Sequence, residues 1–321
     1  MTTLAIHPGA LGDLLLFGHL LAAVGDDVVL VGPCERVKLL EHLGVVRRAV
    51  DMESLPLHEL YCDRPLGECS LPAALERIVS PCESLRVISC MGHGDARIQA
   101  RLLGATGAES TAFLPVRPET DFAGHLLDLW ADLLGLSGSE DTWPARTRPW
   151  AVPAQSRRAA AETLRQAGVD AKRPYVVLHP GSGGLAKCWP LESYLQLAWS
   201  LLARRKPPQV LFALGPAELE RWPQAPERID AEGGAVLATP SLPVLAAVLA
   251  GSGAYVGNDS GVSHLAAGVG ARCTVLFGPS NPAHFGPVGP HVTVIKYAPL
   301  AELPVESVLR ELAPFVVKGR P

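Results

Sequence analysis

The chain has 321 residues, 48% of them hydrophobic, and a formal net charge of −4 at pH 7. That length suits two domains, each able to bury its own core, and the hydrophobic content excludes a disordered chain. The slight acidity argues against a broad nucleic-acid footprint while leaving room for a local basic pocket.

The opening stretch MTTLAIHPGALGD has no basic region ahead of an apolar run, so no signal peptide is read there. Leu4–His7 reads as a short strand. A Gly-Asp step, Gly12-Asp13, leads into a helix-like stretch, Leu14–Val24, which is shorter than the ~20 apolar residues of a membrane span. Val28–Val31 is the next strand, followed by a helix around Glu35–Leu43. Val87–Cys90 is a further strand, and Leu126–Leu136 looks helical. Residues 142–155, TWPARTRPWAVPAQ, carry three prolines and two tryptophans with little periodicity. They read as an interdomain linker.

The second half repeats the alternation more clearly. A helix over Arg157–Ala167 precedes the β-branched strand Tyr175–His179. Pro190 suits a first helical position, where its missing N–H costs nothing, and opens Leu191–Arg204. Gln209–Leu214 is a strand. Ser241 looks like an N-cap, with Pro243 just inside a helix to Ala250. Strand Ala254–Gly257, the turn NDSG and helix Val262–Val269 follow. Cys273–Phe277 and Val292–Ile295 are strands, and an amphipathic helix covers Val305–Phe315. Strands alternating with helices imply parallel α/β sheets. The seven cysteines show no CxxC and no zinc spacing, which fits a reducing cytoplasm.

Four stretches have the residue types that chemistry needs. His-Pro-Gly occurs twice, at 7–9 and 179–181, each time ending an apolar run. In the second copy Gly181, Gly183 and Gly184 let backbone N–H groups approach an anion. Ser182 adds a hydroxyl, Lys187 a cation, and the helix after Pro190 a positive dipole end. This suits a phosphate or diphosphate, or else is a glycine turn with a solvated lysine. It is not a Walker A loop, because Ala186 rather than glycine precedes the lysine. Asp259, Ser260, Gly261 and His264 form a second polar turn and helix start. They offer further ligand donors, with Asp259 placed to hold Lys187 or a hydroxyl. They also fit a Ser–His pair, though no G-x-S-x-G elbow is present, or an ordinary capped helix. Asp13, at the first strand-to-helix turn, suits a base for a sugar hydroxyl or a plain helix-start acid. Glu218, after a strand and turn, suits ribose hydroxyls or solvent.

Taken in order, these stretches resemble the heptosyltransferase family, glycosyltransferase family 9. The resemblance runs through ALGDLLL (10–16), HPGSGGLAKCWP (179–190), LGPAELE (214–220), residues 241–270 with their NDSG turn, and TVLFGPSNP (274–282). It implies a GT-B fold: two Rossmann-like domains, 1–150 for the acceptor and 151–321 for the nucleotide-sugar, with parallel sheets facing across a cleft and the final helix, 305–315, packing back on the first domain. It implies an inverting, metal-independent transfer of heptose from ADP-heptose to a lipopolysaccharide inner-core saccharide, with Asp13 as the base. Ser182, Gly183, Lys187, Glu218, Asp259, Ser260, Gly261 and His264 would bind the donor, with Leu242 against the nucleotide base. No cofactor is implied beyond the donor itself. The partners implied are that donor and a lipid-linked or core saccharide, with peripheral contact at the inner face of the cytoplasmic membrane through the acceptor. Residues 50–125 show little that aligns, and spacing does not choose among Arg64, Arg97 and Arg101 as acceptor-binding cations. A GT-B sugar-nucleotide epimerase and a non-catalytic nucleotide-sugar-binding protein are the competing readings.

Overall fold

The computed structural model describes residues 1–25, 27–136 and 147–318, those after 312 as backbone only. It divides into two compact units, Met1–Glu140 and Asp141–Pro321. Residues 142–146 of the expected linker lie outside the described residues. Trp150, also in that stretch, packs within the second unit, its N–H donating to the Gly268 carbonyl at 2.8 Å.

The first unit is a five-stranded sheet in the order β3-β2-β1-β4-β5. The strands are β1 (Thr2–Ile6), β2 (Asp27–Gly32), β3 (Arg48–Asp51), β4 (Leu85–Ser89) and β5 (Ser110–Phe113). All neighbours pair in parallel, with Ile6 opposite Val31 on one side and Ser89 on the other. Parallel pairing requires crossover connections, and covering both faces buries the strands completely. Leu4, Ala5 and Ile6 accordingly have no exposed surface. The crossovers carry α1 (Leu11–Val24), α2 (Cys34–His42), α3 (Leu71–Val79) and α4 (Ala96–Thr106), and α5 (Leu126–Leu133) follows the last strand. Helix α1 buries Leu14 through Leu21 and ends at Gly25, whose φ of 72° closes the last turn with an N–H bond to the Leu21 carbonyl. Only glycine adopts that conformation without cost. The chain runs outward from β1 through β2 to β3, then returns to β4. The direction therefore reverses between β1 and β4.

The second unit is a six-stranded sheet, β11-β10-β9-β6-β7-β8, again parallel throughout. Helix α6 (Ala154–Gln166) precedes β6 (Tyr175–His179), α7 (Leu191–Leu202) and β7 (Gln209–Leu214). Next come α8 (Pro216–Arg221), α9 (Ala225–Ala231), β8 (Ala235–Ala238) and α10 (Leu242–Gly251). Then follow β9 (Ala254–Asn258), α11 (Gly261–Gly268), β10 (Cys273–Phe277), α12 (Pro282–Phe285) and β11 (Val292–Lys296), and the chain closes with α13 (Val305–Lys318). Here the direction reverses between β6 and β9. Pro190 stands one residue ahead of α7 with extended backbone, at the cap rather than the first helical position. Ser241 caps α10 by position, without a side-chain hydrogen bond. Val305, Val308 and Leu312 of α13 enter the core formed by α7, β9 and β10.

Candidate functional site

In open parallel sheets, ligands bind beyond the C-terminal strand ends, where the strand order reverses. In the second unit that point lies between His179 and Asn258, the last residues of β6 and β9. The turn after β6 contributes Ser182 and Lys187. The turn after β9 contributes Asp259. Lys187 Nζ donates to Asp259 Oδ2 at 2.7 Å, closing the reversal point. The Lys187 side chain keeps 41% of its surface exposed, whereas Asp259 keeps 9%. The ammonium therefore still has donors to offer a ligand. Ser182 Oγ donates to the Asp259 carbonyl at 2.6 Å.

Ser260 caps α11, its hydroxyl accepting from the Ser263 N–H. Gly261 starts that helix, and His264 is buried one turn along. Glu218 sits in the first turn of α8 and accepts from the Gly215 N–H at 2.8 Å. It is buried beneath the Gly181 backbone, so tightly that a Cβ on Gly181 would come 1.9 Å from its Oε1. Leu242, half-buried, is the first residue of α10, just beyond β8. The candidate residues thus stand along one sheet edge in strand order: Asp259 and Ser260 after β9, Ser182 and Lys187 after β6, Glu218 after β7, Leu242 after β8. Neighbouring strands are ~4.8 Å apart, so the row spans roughly 15 Å.

Two residues that spacing alone does not reveal complete the arrangement. Asn258 is fully buried. Its Oδ1 accepts from the Trp189 N–H at 3.0 Å and the Tyr194 hydroxyl at 3.1 Å. Its Nδ2 donates to the carbonyls of Pro180 at 2.8 Å and Gly181 at 3.3 Å. One carboxamide therefore fixes both ends of the glycine loop. Ser280, after β10, donates to Asp259 Oδ2 at 2.5 Å, and Lys296 holds its loop through the Ser280 carbonyl at 2.7 Å. The only sequence signal for either was adjacency to a named motif: the first letter of NDSG and the serine of FGPS.

In the first unit the reversal point lies between His7 and Cys90, which follow β1 and β4. Asp13, in the first turn of α1, is half-exposed and accepts from the Ala10 N–H at 3.2 Å. Burial pushes the Cys90 thiol pKa up, and the nearby Asp13 charge adds to that shift. Cys90 also lines a cavity of about 710 Å³ with Gly92, Pro115, Arg117, Asp121 and Leu129. That is the size of a small-molecule site. Arg117, which sequence spacing did not select, is the guanidinium on its wall. Arg97 and Arg101 are engaged elsewhere: Arg97 pairs with Asp63 at 2.6 Å, and Arg101 donates to the carbonyls of Glu59 at 2.7 Å and Arg64 at 2.8 Å. Among the described residues no three of His, Cys, Asp and Glu gather as a metal cage, and no helix is long and apolar enough to cross a membrane.

Two parallel doubly wound sheets make this an α/β protein of two Rossmann-like units. The sequence model of glycosyltransferase family 9 (heptosyltransferase) matches residues 129–310, and the chain belongs to that family. The match takes in every donor-side candidate and leaves out Asp13. The lipopolysaccharide heptosyltransferase 1 of Pseudomonas aeruginosa is 37% identical over 130 residues, 38% of this chain and 34% of that protein. The similarity thus spans about a third of that relative's length. Among solved structures, the family 9 glycosyl transferase of Veillonella parvula superposes with a TM-score of 0.78 at 18% identity, covering 99% of this chain and 97% of the other. The E. coli ADP-heptose lipopolysaccharide heptosyltransferase II gives 0.76 at 19% identity, covering 99% of each. At such identities these two establish the fold.

Proposed function

We propose that the protein is an inverting glycosyltransferase that moves heptose from an ADP-linked donor to a lipopolysaccharide inner-core saccharide. One observation carries the donor side: the order of groups along the C-terminal edge of the second sheet. A nucleotide-sugar is itself a row of sugar, diphosphate, ribose and base. Asp259, Ser260, Gly261 and His264 suit the sugar and diphosphate, Ser182, Gly183 and Lys187 the diphosphate, Glu218 the ribose hydroxyls and Leu242 the base. Heptose is the sugar that the Pseudomonas aeruginosa relative transfers, and ADP-heptose the donor of the E. coli heptosyltransferase II. The acceptor sugar enters the first unit's cavity, whose lining residue Cys90 feels the charge of Asp13. The same reading puts the protein in the cytoplasm, touching the membrane only through a lipid-linked acceptor.

In the reaction Asp13 takes the proton of the acceptor hydroxyl as that oxygen attacks the anomeric carbon. The bond from that carbon to the diphosphate oxygen breaks on the opposite face, inverting the configuration. Lys187, the loop N–H groups and the N-terminus of α11 stabilise the charge that develops on the leaving diphosphate. Asp13→Ala therefore keeps ADP affinity and loses transfer. Transfer at the wild-type rate would remove Asp13 from the role of base. Product analysis with donor alone separates this reading from an epimerase, which alters the sugar with no acceptor present.

A further inference from the structure

The two His-Pro-Gly turns hold their histidines in opposite tautomers. The Gly9 N–H donates to His7 Nδ1 at 2.9 Å, so Nδ1 keeps its lone pair and the proton sits on Nε2. His179 Nδ1 lies 2.9 Å from the Ala213 carbonyl oxygen, which can only accept, so there the proton sits on Nδ1. The consequences differ. His179 ties its ring to the adjacent strand β7, and the carbonyls of its own turn are held by Asn258 instead. His7 ties its ring to its own turn.

That turn carries Asp13. A Cβ on Gly9 would come 2.3 Å from His7 Cε1 and 3.1 Å from Asp13 Cβ, so the imidazole, the Gly9 backbone and the Asp13 side chain are in close succession. The next N–H, that of Ala10, donates to the Asp13 carboxylate. Arg36 Nη1 clamps the Gly9 carbonyl at 2.9 Å. His7 is 1% exposed, its ring centroid 5.1 Å from that of Phe17 and 6.2 Å from that of Trp130. Its Nε2 is buried with no hydrogen-bond partner. A buried polar atom left unpaired in a native site calls for a reason. A leucine would fill an aromatic niche without that cost, but it would leave the Gly9 N–H without its acceptor.

We propose that His7 is a positioning residue: its Nε2–H tautomer fixes the Gly9–Ala10 turn and thereby sets the orientation of the Asp13 carboxylate. The proposal rests on the reading of Asp13 as the base. It distinguishes the ring nitrogens, which permits a test that a purely structural role would not satisfy. Asparagine places Oδ1 where Nδ1 stands and can accept from Gly9, whereas glutamine and leucine cannot place an acceptor there. His7→Asn should keep kcat within a few-fold of wild type. His7→Gln and His7→Leu should lose on the order of 10²-fold in kcat, as a displacement of about 1 Å does, while KM for the donor and ADP affinity stay unchanged. Nitrogen NMR of the folded protein reads the tautomer independently of activity, with Nδ1 expected as the unprotonated nitrogen. A protonated Nδ1, or equal kcat in the asparagine, glutamine and leucine variants, would overturn the proposal. Asp13→Asn separates the two readings. If it transfers at the wild-type rate, the assignment of the base fails and this inference fails with it. If it loses transfer while His7→Gln keeps it, only the role of His7 fails.

Discussion

Lys187 and His7 are side chains whose settings can be tested one at a time. Lys187 is held by Asp259 yet keeps much of its surface open, so it can bond a ligand oxygen without losing its anchor. A hydrogen bond to a charged group contributes about 1.5–3 kcal/mol, which is about 10- to 100-fold in affinity. Lys187→Ala should weaken ADP binding by that factor in calorimetry, and an unchanged affinity would remove Lys187 from the phosphate site. His7 should also make stability depend on pH. Burial lowers its pKa from 6.5 to about 4, partly offset by the contact of the ring with its own backbone. The unfolded chain therefore binds a proton that the folded chain refuses. Stability is fully present above pH 6.5 and falls as pH drops through that value toward 4, by on the order of 3 kcal/mol. Denaturant titrations between pH 7 and pH 4 should show that slope, and His7→Asn should flatten it. An identical slope in the variant would show that His7 is not its source.

At the scale of elements, the glycine loop is defined by what packs beneath it. Gly181 leaves no room for a methyl group above the Glu218 carboxylate, and Glu218 is itself pinned by the Gly215 N–H. Gly181→Ala must therefore move the loop or expel Glu218. Overpacking of this kind costs about 1–3 kcal/mol, and nucleotide binding should fall together with thermal stability. Wild-type affinity and melting temperature would show that the loop yields freely. This part of the site was legible in the sequence because its donors lie within one loop and the glycines advertise a close backbone approach. The partners that hold it were not. Asn258 reaches the Pro180 carbonyl across 78 positions, and Ser280 reaches Asp259 across 21; no local pattern encodes such pairings. The same limit governed the fold. Central strands such as Leu4–Ile6 and Tyr175–Leu178 are apolar runs because they are buried on both faces. The short strands β3, β5 and β8, reading RAVD, STAF and AVLA, lie at sheet edges and carry half-exposed residues. Helix α4 buries only Ile98, Leu102 and Ala105 among charged and polar neighbours.

The whole molecule repeats one device with different contents. Each unit is a parallel sheet whose reversal point carries a strand, a His-Pro-Gly turn and a helix. The first places a carboxylate there, Asp13, and the second a cation, Lys187. In the proposed transfer the carboxylate takes a proton from the incoming hydroxyl and the cation steadies the outgoing diphosphate. Thermal shift separates the donor nucleotides by mass action, since a ligand that binds only the folded state raises its stability. ADP should raise the melting temperature more than UDP, GDP or CMP, and equal shifts would leave the adenine preference without support. The transfer itself is the most direct measurement. With ADP-heptose and an extracted inner-core acceptor together, ADP release should match the heptoside formed, with inverted anomeric configuration, and both should vanish in Asp13→Asn. Equal ADP release without acceptor, a sugar epimerised by the protein alone, or a product of retained configuration would contradict an inverting glycosyltransferase.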